Sequence, residues 1–162
     1  LKWLVIGYGN SLCADDGFGI AVAEMLCSAL PDTQSISVVA QMQLLPELVE
    51  QIKENEGVVF VDADIKTPTG KLKLCRFGDG DDAHHFLKKI VLSHQCSPFD
   101  LLATTSALYA VKPEAWLLTA GGENFTLGDK MSENVALLVE EAVSKIFAIT
   151  SQKYGIDQRP AD

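Results

Sequence analysis

Trp3-Leu4-Val5-Ile6-Gly7-Tyr8-Gly9-Asn10-Ser11-Leu12-Cys13-Ala14-Asp15-Asp16-Gly17 reads as an apolar strand, a tight glycine turn and two adjacent carboxylates where a helix is due to begin. Glycines let the backbone take angles closed to other residues, and an Asn tolerates a left-handed turn. In open α/β folds the strand-to-helix turn lies at the carboxyl end of the sheet, where ligands bind. One Asp at such a place ordinarily caps the helix, accepting backbone N–H groups at the positive end of its dipole. Two in succession cannot both cap. One of Asp15 and Asp16 is therefore left to be solvated, paired or bound to a cation.

Outward from this stretch, apolar periodicity alternates between strand and helix. Residues 2–8 are a buried strand, and 16–30 form a helix that Pro31 stops. Ser35 to Ala40 is a second strand, and Pro46 opens a helix to about Glu54 that turns Leu48, Val49 and Ile52 inward. Val58-Val59-Phe60-Val61 is a continuous apolar run, as in a central parallel strand. Pro68-Thr69-Gly70 is a turn, and Lys71 to Arg76 alternates like a half-exposed edge strand. Residues 78–82 form an acidic loop, 85–89 a short helix, and 99–109 a longer one led by Pro98. Ala115 to Ala120 is the fifth strand, and Met131 to about Ser151 the last helix. Such alternation implies right-handed βαβ units, hence one α/β domain with a mostly parallel sheet and helices on both faces. The expected domain is 1–152, with 153–162 a flexible tail.

The chain has 162 residues, enough for one hydrophobic core, and a net charge of -9. That balance argues against nucleic-acid or anionic-membrane partners, which need clustered Lys and Arg. No apolar run approaches the roughly 18 residues of a membrane span, and no signal peptide is evident. The four cysteines contain no CxxC pair and suit free thiols in a reducing, cytoplasmic setting. Cys27 falls among apolar helix positions and is expected in the core; Cys13 and Cys96 lie near the suspected site and are expected to do no chemistry.

Three loops carry the candidate chemistry. Asp16 follows the first strand, Asp62 and Asp64 follow Val61, and Ser93-His94-Gln95 is a polar turn before the helix at Pro98. A neutral imidazole with two carboxylates suits a borderline divalent ion such as nickel, zinc or iron, and equally suits general acid–base work. The adjacent His84-His85 is a poor metal pair, since neighbours on a helix diverge by about 100°. Gly7-Tyr8-Gly9 begins like a dinucleotide fingerprint, but Leu12 stands where the third glycine belongs and the acids would repel a pyrophosphate. GxSxG, Walker A and HExxH motifs are absent.

Gly7, Gly9, Asn10, Leu12, Asp15, Asp16, Gly17 and Gly19, followed by Asp62-Ala63 and by Ser93-His94-Gln95, resemble the nickel–iron hydrogenase maturation endopeptidases. Gln43-Leu44-Leu45-Pro46-Glu47-Leu48 resembles the subgroup serving bidirectional, NAD(P)-linked hydrogenases. The likeness covers about residues 3–150. It implies a three-layer α/β sandwich with a five-stranded twisted sheet. It also implies a cytoplasmic hydrolase of aspartyl-protease type that removes a C-terminal extension from the nickel-loaded precursor of the hydrogenase large subunit. Asp16, Asp62 and His94 become both the catalytic and the metal-contacting residues. The nickel is expected to arrive with the substrate, leaving the free enzyme metal-free and monomeric. Two departures stand out. Many relatives have Glu in place of Asp16, and several have an Asp-Gly pair where this chain has Ala40-Gln41-Met42. Either a metal-activated water or a carboxylate base would serve as the cutting agent. The alternative is a metal-gated checkpoint protein that grips the immature subunit without cutting it.

Overall fold

The computed structural model describes residues 1–30, 35–78 and 96–151. Five strands form a single sheet in the order β2-β1-β3-β5-β4: β1 Trp3–Tyr8, β2 Ile36–Gln41, β3 Gly57–Thr69, β4 Leu72–Arg76 and β5 Glu114–Gly121. β1 pairs in parallel with β2 and β3, and β3 in parallel with β5; only β4, at the edge, runs antiparallel. The helices are α1 Phe18–Ala29, α2 Val49–Ile52, α3 Pro98–Tyr109, α4 Glu133–Ala136 and α5 Leu138–Ser151. This is the expected single-domain three-layer sandwich.

Strand alternation explains the layers, because successive side chains point to opposite faces. Trp3, Val5, Val59, Val61 and Leu118 face one way and pack with Phe18, Val22 and Leu26 of α1 and with Val139, Ala142, Val143 and Ile146 of α5. Leu4, Ile6, Val58, Phe60 and Leu117 face the other way, against Leu48, Val49, Ile52 and Leu101. On that second face α3 lies beside α2, tied by a hydrogen bond from the Tyr109 hydroxyl to Glu50 and by Lys53 Nζ, 4.4 Å from the Tyr109 ring centre. α3 begins with a full capping box. Asp100 N–H donates to Ser97 Oγ at 3.1 Å, and Ser97 N–H donates back to Asp100 Oδ2 at 2.8 Å, with Pro98 in the first turn.

Several expectations are corrected. β3 does not end at Val61: it continues to Thr69, so Asp62 and Asp64 lie within the strand, opposite Thr119 and Gly121 of β5. Pairing with β5 holds the chain extended past the apolar run. Asp16 is not in the first helix but in a 3-10 turn, Ala14–Gly17; α1 starts at Phe18, and no side chain caps it. The last helix starts at Glu133 rather than Met131 and is interrupted at Leu137. Cys27 is exposed, not in the core. Residues 79–95, which hold nearly all of the expected acidic loop, the expected short helix and His84, His85 and His94, lie outside the described residues, as does the tail 153–162.

α1 can approach the sheet only because Gly19 lacks a side chain. A Cβ there would stand 2.4 Å from the Val61 carbonyl oxygen and 2.5 Å from that of Tyr8. The neighbours are backbone and cannot rotate away. Gly19→Ala is expected to destabilise by roughly 1–3 kcal/mol, the usual cost of overpacking. Urea unfolding checks this, and an unchanged midpoint would contradict the packing.

Candidate functional site

Gly7 of β1 is in register with Val61 of β3, so the next residues along, Tyr8 and Asp62, come side by side at the carboxyl end of the sheet. By alternation both face the layer of α2 and α3. Tyr8 packs on that core, and its hydroxyl hydrogen-bonds Asp62. Burial, then the charge and hydrogen bond of Asp62, then the charges of Asp64 and Asp16, push the Tyr8 phenol well above its usual value. Asp62 is thus the acid in direct contact with the phenol, and Asp16 and Asp64 act on it through their charge.

Each acid has a different task. Asp16 reaches the site because the chain folds back tightly. Gly9 has φ +139, and a Cβ there would lie 1.9 Å from the Asp16 carbonyl oxygen, so only glycine fits. Asn10 N–H then donates to Asp16 Oδ2 at 2.6 Å, fixing the half-buried carboxylate over the turn. Asp62, also half-buried, accepts from Ala63 N–H at 2.8 Å through Oδ1. Asp64 builds structure: its Oδ1 accepts from Lys66 N–H at 3.1 Å and Thr67 N–H at 2.6 Å, closing an excursion of β3 whose two ends, Asp64 and Thr69, both pair with Gly121.

Asp15 settles the question posed by the adjacent carboxylates. It is 0% exposed. It accepts from Glu123 and Asn124 N–H at 2.9 Å each, from Ser132 N–H at 2.7 Å and from the Ser132 hydroxyl at 2.9 Å. Burial raises its pKa, but the bonds from Glu123, Ser132 and Asn124 outweigh burial and leave it below the ordinary carboxylate value. Asp15 caps no helix; it ties the first turn to the loop after β5.

Gln41, the register partner of Tyr8 on β2, completes the row. Its amide oxygen is sealed from solvent and has no hydrogen-bond partner among the described residues, in the Ala40-Gln41-Met42 stretch where several relatives were expected to carry Asp-Gly. His94 lies outside the described residues. Cys96, two residues on, packs against the same apolar cluster as Tyr8, and burial followed by the charges of Asp100 and Glu47 pushes its thiol up. Among the described residues no group of three or more His, Cys, Asp or Glu side chains is arranged to hold a metal ion. Asp16 and Asp62 therefore make a partial donor set. Sequence reasoning missed Tyr8. The signal was available: a tyrosine between two glycines, one position past the strand pairing that brings Asp62 alongside.

No family model matches the chain, and no curated protein matches it. Solved structures do. The hydrogenase maturating endopeptidase HybD from E. coli superposes with a TM-score of 0.73 at 21% identity, over 92% of this chain and 91% of that one. The [NiFe] hydrogenase maturation protease HybD from Thermococcus kodakarensis gives 0.72 at 19% identity, over 93% and 100%. The hydrogenase 2 maturation peptidase from Thaumarchaeota archaeon SCGC_AB-539-E09 gives 0.66 at 23% identity, over 93% and 99%. The chain has the fold of the hydrogenase maturation proteases.

Replacing Asp15 by Ala strands buried N–H donors, each worth roughly 1–3 kcal/mol. The loss at pH 7 is expected to be about 3 kcal/mol or more. Because the folded carboxyl titrates below its ordinary value, its stabilisation is full above that value and fades as pH falls through the folded pKa. Urea midpoints of parent and Asp15→Ala should converge in acid; a gap that persists or widens there would contradict the assignment.

Proposed function

We propose that the chain is an endopeptidase of hydrogenase maturation, trimming a C-terminal extension from the nickel-loaded precursor of a NiFe-hydrogenase large subunit. The observation that carries this reading is that Asp16 follows β1 and Asp62 lies on the adjoining parallel β3, at the carboxyl edge of a sheet whose fold matches that of the named maturation proteases. Asp16, Asp62 and His94 engage a nickel ion that the substrate holds through its own thiolates. Two fixed carboxylates are hard anionic donors and have little to bind in an empty precursor, which makes nickel loading the recognition signal. The Asn10 N–H and the Tyr8 hydroxyl hold the two carboxylates in place, so little ordering is left to do when substrate arrives. Hydrolysis then proceeds with water activated at the nickel or by one of the carboxylates as general base, the aspartyl route.

The protein acts as a monomer in the cytoplasm, in keeping with its free cysteines. No described helix is long and apolar enough to cross a membrane. The precursor of a bidirectional, NAD(P)-linked enzyme is the preferred partner. Support comes from residues 43–48, where Leu44 and Leu48 are buried, Pro46 opens a 3-10 turn and Leu45 faces outward.

Mass spectrometry of the precursor after incubation tests the reading. Nickel-loaded precursor is expected to lose the mass of a short C-terminal peptide, and nickel-free precursor to stay intact. Asp16→Ala and Asp62→Ala should each slow cleavage by about 100-fold or more while leaving the circular dichroism spectrum unchanged. Tight binding without a mass change would replace the protease by the checkpoint protein. Cutting of nickel-free chains would remove nickel from the account.

A further inference from the structure

Nine large apolar side chains stand exposed among the described residues, and five of them, Leu12, Met42, Leu45, Ile65 and Leu127, belong to one edge of the sheet. Leu12 follows β1, Met42 and Leu45 follow β2, Ile65 lies in the excursion of β3, and Leu127 follows β5. These are the carboxyl ends of four mutually parallel strands, the same edge that holds Asp16 and Asp62. The other four, Leu1, Met25, Leu108 and Leu137, are scattered over the terminus and the helices.

The edge is also held in shape. Leu12 sits in a turn closed by its own N–H on Asn10 Oδ1 at 3.0 Å, and its carbonyl accepts from Gly128 N–H at 2.7 Å, next to Leu127. Ile65 rides at the tip of the excursion that Asp64 closes, anchored behind by the buried Thr67 hydroxyl 3.0 Å from that of Thr119. Leu127 projects from the loop that Asp15 ties down and that Asn124 Oδ1 braces through Thr126 N–H at 3.0 Å. With exposures of 58%, 79% and 86%, these three side chains are presented rather than packed. Rigidly presented apolar groups bind with less ordering cost than mobile ones, and exposed apolar side chains grouped at one edge suit an interaction site.

We propose that this rim is the docking surface for an extended segment of a partner polypeptide, whose apolar side chains cover Leu12, Ile65 and Leu127 while a positively charged centre settles between Asp16 and Asp62. Charge selects this occupant. Asp16, Asp62 and Asp64 lie at this edge and the chain carries a net charge of -9, so an anionic membrane surface is repelled. A second copy docking by two-fold symmetry would set the same acids against each other. The inference rests on the peptidase reading for the identity of the partner: the segment is the part of the large-subunit precursor that carries the nickel and leads into the extension.

The test uses Ile65→Ser, Leu127→Ser and the double variant, with Leu108→Ser on α3 as a control at the opposite edge. Binding to nickel-loaded precursor is measured by calorimetry, and cleavage by mass spectrometry. Each rim substitution is expected to raise Kd and KM about tenfold, with kcat within about twofold, and the double variant about a hundredfold. The control should match the parent. Rim variants that bind and cut like the parent would overturn the docking surface and leave the peptidase reading intact. A parent that binds the precursor without cutting it, and loses binding in the rim variants, would sink the peptidase reading and keep the surface. Self-association of the parent that the rim variants abolish would assign the rim to a second copy and overturn the proposal.

Discussion

The pairing of β1 with β3, one backbone directly against another in parallel, is the contact on which everything else depends. It sets Gly7 beside Val61 and so delivers Tyr8 next to Asp62. It holds only if α1 can lie close above it, and that closeness comes from glycine. A Cβ on Gly7 would fall 2.0 Å from the Gly19 carbonyl oxygen, and one on Gly19 would strike both strands. The opening motif is therefore a packing device as well as a turn. Its glycines bring two strands and a helix within backbone contact, and the acids ride on the turn that results.

The acids at this edge divide the work between building and binding. Asp15 and Asp64 spend their oxygens on backbone N–H groups and shape two loops. Asp16 accepts from Asn10 N–H, and Asp62 accepts from Ala63 N–H and from the Tyr8 hydroxyl. A single edge with only binding acids would be held by nothing; one with only building acids would have no chemistry. The loops that the building acids shape are also the ones that present Ile65 and Leu127. The proposed recognition surface and the proposed reactive centre thus share one scaffold.

The helix layers on both faces, the mostly parallel sheet and the edge position of β4 were legible in the sequence. Continuous apolar runs, alternation and proline-led helix starts are local signals, and local signals dominate buried elements. That Asp16 and Asp62 lie at one edge was legible as well, because the ends of two parallel strands share it. The extension of β3 to Thr69 was not, since Asp64-Ile65-Lys66 reads as a loop; β5 pairs with Asp64 and again with Thr69, and the residues between them form an excursion. The fate of Asp15 was equally hidden. Its partners Glu123, Asn124 and Ser132 lie over a hundred positions away, and nothing in the local pattern announces them. Cys27 was misplaced because helical periodicity alone does not say where one face of α1 ends and solvent begins.

The central claim is that Asp62 and its neighbouring acids close around the Tyr8 hydroxyl. Titration of tyrosine labelled at the ring carbon bearing the hydroxyl, followed by NMR with Tyr8→Phe to assign the signal, reads this directly. Tyr8 is expected to stay protonated well above the ordinary value of 10.0 and to titrate lower once Asp62→Asn removes the facing charge. A Tyr8 signal that titrates at the ordinary value, and does not move in the variant, would contradict the account.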